Sequence, residues 1–331
     1  MTVRKGIYSV ALAILLTSSL MMSCIGLKNT PIQGQLLSSN CNQHNAYSYT
    51  ADKIPPPIHE LTLDASLRTK LSFKSLNMAN AIGALDWISQ YIKLQQEVLR
   101  RPNVENRLAV MEIKQQIDHR INLSSLEVSA VSSELDCEEE RTSQVANYLK
   151  GKENDFETKL TVGAIVVGAS GAVSTGVLIT DDKAADYVGL ATGVTEATLG
   201  MMMLFNKRTT DFYHERNTLK EIWDGAETSA SFPPSVWYYL KYYDPKDGKK
   251  SSVRNQIITK WMTFGQIDND DDDSKKQKLI ELYFGKGGRY STEQLENRAD
   301  MYDQLESHIN LMKQDLKGLS VELDAIVASR P

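Results

Sequence analysis

Imidazoles, clustered carboxylates and glycine loops are the groups here whose spacing would permit chemistry, so they come first. The five histidines (His44, His59, His119, His214 and His308) form no His-Glu-x-x-His pair and no other metal-ligand spacing. No Gly-x-Ser-x-Gly elbow occurs to present a nucleophilic serine. His214 beside Glu215 is the best lone acid/base pair, and a surface ion pair on a helix accounts for it. In the acidic run 268–273, taking Asp270 as first ligand puts Asp272, Ser274 and Glu281 at calcium-loop positions three, five and twelve. Lys275, however, takes the sixth position, where the sharp turn needs glycine, and Lys276 and Lys278 repel a cation. A solvated loop is the expectation. Gly285, Gly287 and Gly288 lack phosphate-loop spacing and read as a turn. Neither catalysis nor a metal or other cofactor is therefore expected.

The amino-terminal residues carry a stronger pattern. Arg4 and Lys5 precede an uncharged run from Gly6 to Ser23, and Cys24 follows small Ser23 directly, with Leu20, Met21 and Met22 just upstream. A short positive segment, a brief apolar segment and a small residue before a cut form a signal-peptide layout. The local pattern resembles the lipobox of bacterial lipoproteins, with Met21 where that family usually has leucine. The resemblance implies cleavage before Cys24, a diacylglycerol group on its sulfur, and a membrane-held protein of the bacterial envelope, at the outer membrane or cell surface. With Cys24 acylated, Cys41 and Cys137 remain as a pair. In an oxidising compartment they either join, closing a long loop worth about 4 kcal/mol, or stand as isolated thiols.

Composition narrows the partners. Loss of Arg4 and Lys5 with the signal takes the formal charge from −5 to −7, and an acidic chain without a long basic patch is a poor nucleic-acid binder.

The middle of the chain has the clearest interaction pattern. No charge occurs between Lys159 and Asp181, and from Tyr187 to Asn206 the only charge is Glu196. At about 1.5 Å per residue the first run is roughly 30 Å long, the thickness of a bilayer core. Joined by the polar turn 181–186, the two runs must fold back as an antiparallel hairpin. Ala164, Gly168, Ala172 and Gly176 recur every fourth position in the first, and Gly189, Gly193 and Ala197 in the second. Such ridges let two helical backbones approach closely. The layout resembles the glycine-zipper hairpins of some envelope lipoproteins and, in its flanking long helices, the α-helical pore-forming toxins of the haemolysin BL type. Glu196 and the many Thr, Ser and Gly residues equally suit burial inside a water-soluble bundle.

Long helices must position this hairpin. Apolar residues recur at helical spacing at Ile113, Ile117 and Ile121, then at Val128, Val131 and Leu135. An earlier helix runs through Met78, Ile82, Leu85, Ile88, Ile92 and Leu99 to a stop at Pro102. At the carboxyl end Leu295, Tyr302, Ile309, Leu316 and Leu323 repeat every seven residues. Leu305, Met312, Leu319 and Ile326 complete a seam that Ser291 and Gln294 cap, its partner expected within the same chain. Trp237, Tyr238, Tyr239, Tyr242 and Tyr243 read as the core of a small cap.

The expected organisation is a signal peptide (1–23), a lipidated flexible tether (24–60), long bundle helices (61–158), the apolar hairpin (159–207), a helical cap with aromatic cluster and acidic loop (208–290) and a coiled-coil helix (291–331). The fold class is all-α, an elongated bundle or coiled coil around a glycine-zipper hairpin. A structural or protein-interaction role with self-association follows as the expected function. Its alternative is a pore-forming or membrane-perturbing protein that inserts residues 160–206.

Overall fold

A computed structural model describes residues 41, 46–177, 182–204, 207–214, 216–246, 248, 251–267 and 273–328, without the side chains of 170–171, 173–177, 182–189, 204 and 327–328. It is mostly helical. In order come α1 (Ala65–Lys70), α2 (Phe73–Ala81), α3 (Leu85–Arg100), α4 (Val104–Val177), α5 (Asp182–Leu204), β1 (Thr209–Tyr213), α6 (Thr218–Asp224), α7 (Pro234–Lys241), α8 (Val253–Thr263), α9 (Asp273–Phe284), β2 (Gly287–Ser291) and α10 (Thr292–Ala328).

The helix expected from Met78 to Leu99 is two helices. Ile82 ends the first, and Gly83 at φ +68° makes a left-handed turn that an L side chain rarely adopts. The apolar period continues across the break because both pieces face the same core. Met78, Ile82, Ile88 and Ile92 are all buried.

Helix α4 has 74 residues, about 110 Å at a helical rise. Asn103 starts it, its Oδ1 accepting the Asn106 amide at 2.7 Å. Helix α10 runs antiparallel beside it, as three cross-links show: Lys150 with Glu296 at 2.7 Å, Ser132 with Asn310 at 2.9 Å and Lys114 with Asp324 at 3.2 Å. Between them lie Ile113, Ile117, Val128, Val131 and Leu135 of α4. From α10 come the heptad residues Leu295 to Leu323 with Leu305, Met312 and Leu319, all buried; Ile326 is half-buried. Ser291 and Gln294 cap α10 reciprocally: Ser291 N donates to Gln294 Oε1 at 2.9 Å, and Gln294 N to Ser291 Oγ at 3.2 Å.

The all-α plan holds among the described residues apart from one two-stranded ribbon, and residues 46–60 lie differently from expectation. Residues 209–213 and 287–291 pair as an antiparallel ribbon, Thr210 opposite Tyr290 and Phe212 opposite Gly288. The glycines read as a turn therefore open a strand. Gly287 has φ +89°, and a Cβ there would lie 2.3 Å from Phe212 O, so only glycine allows the two backbones to meet. Residues 46–60, expected within a flexible tether, are seated on the body. Tyr47 N donates to Ala230 O at 2.9 Å, Tyr49 Oη to Phe232 O at 3.0 Å and Asn80 Nδ2 to Pro56 O at 2.8 Å, and Ile58 is buried. Their aromatic and prolyl content gives them the apolar surface needed to offset ordering.

Candidate interaction site: the apolar hairpin

Helix α4 continues past the start of α10. Beyond buried Leu160 its flank is α5, which folds back antiparallel along it. Leu199 is buried at the base of this hairpin, and Arg208 N donates to Glu153 Oε1 at 2.6 Å where the chain leaves it. On α4 the half-buried residues are Gly163, Ala164, Val167 and Gly168, a strip at helical spacing. On α5 they include Ala191, Thr192 and Thr195. The Glu196 carboxylate lies over Gly168: a Cβ built there would come within 2.5 Å of Glu196 Oε1.

The expected ridges are thus only partly engaged. Ala164 and Gly168 lie toward α5, and Ala172 is exposed. Gly193 and Ala197 are exposed as well, and a Cβ on Gly193 would meet open space. Two helices touching along one line bury one strip each, and on α5 that strip carries Thr192, Thr195 and Leu199 instead. Gly176 and Gly189 are helical in backbone, and their surroundings lie outside the described residues, as do Cys24 and the acidic run 268–272.

What the small-residue pattern did not single out is the other side of the hairpin. Val162, Ile165 and Val166 on α4 and Leu190, Val194 and Met201 on α5 are exposed by between 54% and 68%. Their apolar character was legible; their lack of cover was not. Threonine hydroxyls among them are turned inward. Thr161 donates to Glu157 O and Thr198 to Val194 O, at 2.9 and 2.8 Å. Each hydroxyl is thereby satisfied on the preceding turn. Among the described residues no helix is long and apolar enough to cross a membrane.

Cys41 and Cys137 are joined, with Cα atoms 5.5 Å apart, tying the amino-terminal segment to α4. His214 is not on a helix surface; it follows β1 and is only 5% exposed. Burial, and then the charges of Arg298 and Arg141, hold its imidazole down to about 2, so it is neutral. Neither ring nitrogen has a hydrogen-bond partner among the described residues. Fully buried Arg298 donates to Tyr283 O at 2.7 Å, near the carboxyl end of α9, and to Tyr302 Oη at 3.1 Å. The negative end of that helix dipole compensates the guanidinium. In the aromatic cluster Trp237 and Tyr238 are core, Phe232 stacking on Trp237 at 5.6 Å, and Tyr243 is exposed. Among the described residues no group of three His, Cys, Asp or Glu side chains is placed to hold a metal.

Among the described residues the hairpin carries large uncovered apolar side chains on neighbouring helices, and no protein-family model, curated protein or solved structure matches the chain.

Proposed function

We propose that this chain is an acylated protein of the bacterial envelope, held by lipid on Cys24, whose hairpin makes apolar contact with a bilayer and perturbs it. One observation carries the reading: the outward sides of both hairpin helices present large apolar residues, Ile165 and Val166 on α4 and Leu190, Val194 and Met201 on α5. Leaving such side chains in water costs about 1.5–3 kcal/mol each relative to burial. The apolar residues occur on both helices rather than on one flat face, which suits an isotropic partner such as lipid. The hydroxyls of exposed Thr161 and Thr198 are satisfied on their own helices and need no water.

Self-association is the second reading. The exposed Gly193 and Ala197, one turn apart with open space over Gly193, form a ridge on which a second hairpin would seat closely. Seams between the long helices serve the structural role in either case.

Dye release from phosphatidylcholine vesicles tests the first reading. Wild-type protein is expected to cause leakage and Ile165→Asp/Val194→Asp to lose it; equal leakage from both sinks the hairpin contact. An oligomer mass that falls to the monomer on Gly193→Leu, with no leakage from wild type, decides for the second. Mass spectrometry of the exported amino terminus is expected to give an acylated Cys24; an intact residue 1–23 segment removes the anchor.

A further inference from the structure

We infer that the outward ridge of α4 between Val104 and Leu126 is a pairing surface for a second copy of this chain, the two ridges lying parallel and in register.

Helical spacing defines the ridge. Val104, Leu108, Met111 and Leu126, with Gln115, His119 and Asn122 between the last two, follow one another at steps of four and three residues. At about 100° per residue this keeps them in a sector about 80° wide and about 33 Å long. The opposite side of the same turns holds Val110, Ile113, Ile117 and Ile121, all buried, so the ridge points away from the body. All seven ridge residues are exposed, and the four apolar ones keep between 55% and 83% of their surface. Apolar side chains aligned in this way on an open helix face favour a facing helix. The open stretch has a definite end. Cys137 lies on nearly the same side of α4, and its bond to Cys41 attaches the amino-terminal segment there.

Charge selects the partner and its direction. Arg107 flanks the ridge on one side, and Glu105 and Glu112 flank it on the other. All three are exposed, and among the described residues none of them makes an ion pair. Lys114 and Asp118, further along the Arg107 side, bridge each other at 2.6 Å and leave Arg107 as the cation for this contact. When two copies of one helix lie parallel, each flank faces the opposite flank of its partner. Arg107 then meets Glu112 of the second copy, and symmetry makes the pair twice. Antiparallel copies bring like flanks together. With Leu108 against Met111, Glu105 would face Glu112, and two carboxylates repel. Centring the antiparallel pair on Gln115 would instead set Leu108 against Asn122 and Met111 against His119. The parallel register places every ridge residue against its own copy, apolar on apolar and amide on amide. This surface lies on α4, apart from the Gly193 ridge of α5, and it does not depend on the hairpin meeting lipid.

Sedimentation of the mature chain carrying Cys24→Ala, over a dilution series, tests the pairing, with circular dichroism confirming equal helicity. Wild type is expected to reach the mass of a dimer. Leu108→Asp/Met111→Asp, at exposed positions, is expected to stay monomeric. Arg107→Glu is expected to weaken the dimer about fivefold, and Arg107→Glu/Glu112→Arg to restore it. Leu108→Cys is expected to cross-link to its own copy on oxidation, as the parallel register requires. A wild-type chain that stays monomeric throughout overturns the pairing. A dimer that survives Leu108→Asp/Met111→Asp overturns it too, and its loss in Gly193→Leu then assigns association to the hairpin. If the charge exchange fails to rescue, or Leu108→Cys cross-links only when mixed with Met111→Cys, the parallel register falls and the proposal with it.

Discussion

Single side chains fix the acid sensitivity of this protein. His214 titrates near 6.5 in an unfolded chain and near 2 when folded, so its contribution to stability is complete above pH 6.5. As pH falls below that value the unfolded chain takes up a proton that the folded one refuses, and stability drops by about 1.4 kcal/mol per unit until the folded value is reached. Urea unfolding at pH 7.5 and 5.0 is expected to show a loss of about 2 kcal/mol. His214→Phe, which keeps a ring beside Phe212 and Tyr290, is expected to remove that loss; an unchanged loss would place the acid sensitivity elsewhere. Arg298→Met strands Tyr283 O and Tyr302 Oη and is expected to cost about 3 kcal/mol at neutral pH. It is expected to raise the His214 imidazole as well, which an NMR titration reads, because a neighbouring positive charge has gone. None of this was legible in the sequence. A histidine beside a glutamate reads as a surface pair, and only the ribbon turns it inward against two arginines more than seventy residues away on either side.

Helices were more legible than strands, for a physical reason. A helix announces itself within its own residues, as the seven-residue repeat of α10 and its Ser291/Gln294 cap do. The ribbon pairs residues about eighty apart, and β2 opens on Gly287 and Gly288, poor strand formers; at Gly287 the absent side chain leaves room for Phe212 O. For the hairpin, spacing located the small residues, while which face they occupy depends on how α5 is rotated against α4. Gly168 and Gly193 look equivalent in sequence and are opposites in structure. Gly168→Leu must displace the Glu196 carboxylate and fit a longer side chain at a half-buried position beside α5, and is expected to give faster proteolysis between residues 160 and 204. Gly193→Leu meets open space and is expected to leave that rate unchanged while adding up to about 1 kcal/mol of helix propensity. Equal damage from both would contradict the observed pairing.

At the scale of the whole molecule, the cysteine pair was one of two readings that spacing left open, and the seating of residues 46–60 was hidden because it depends on distant acceptors at Ala230 and Phe232. Cys41→Ser/Cys137→Ser is expected to lower unfolding free energy by about 4 kcal/mol, measured without reductant. The bond has a mechanical meaning too. It precedes Tyr47 and Tyr49 in the chain, so tension arriving from the amino terminus passes through sulfur into the middle of α4 before it reaches those hydrogen bonds. Oxidised, the docked segment carries no load; reduced, the same pull would strip it away one contact at a time. In a force-spectroscopy trace drawn from the amino terminus, that segment is expected to yield as a separate low-force step only after reduction.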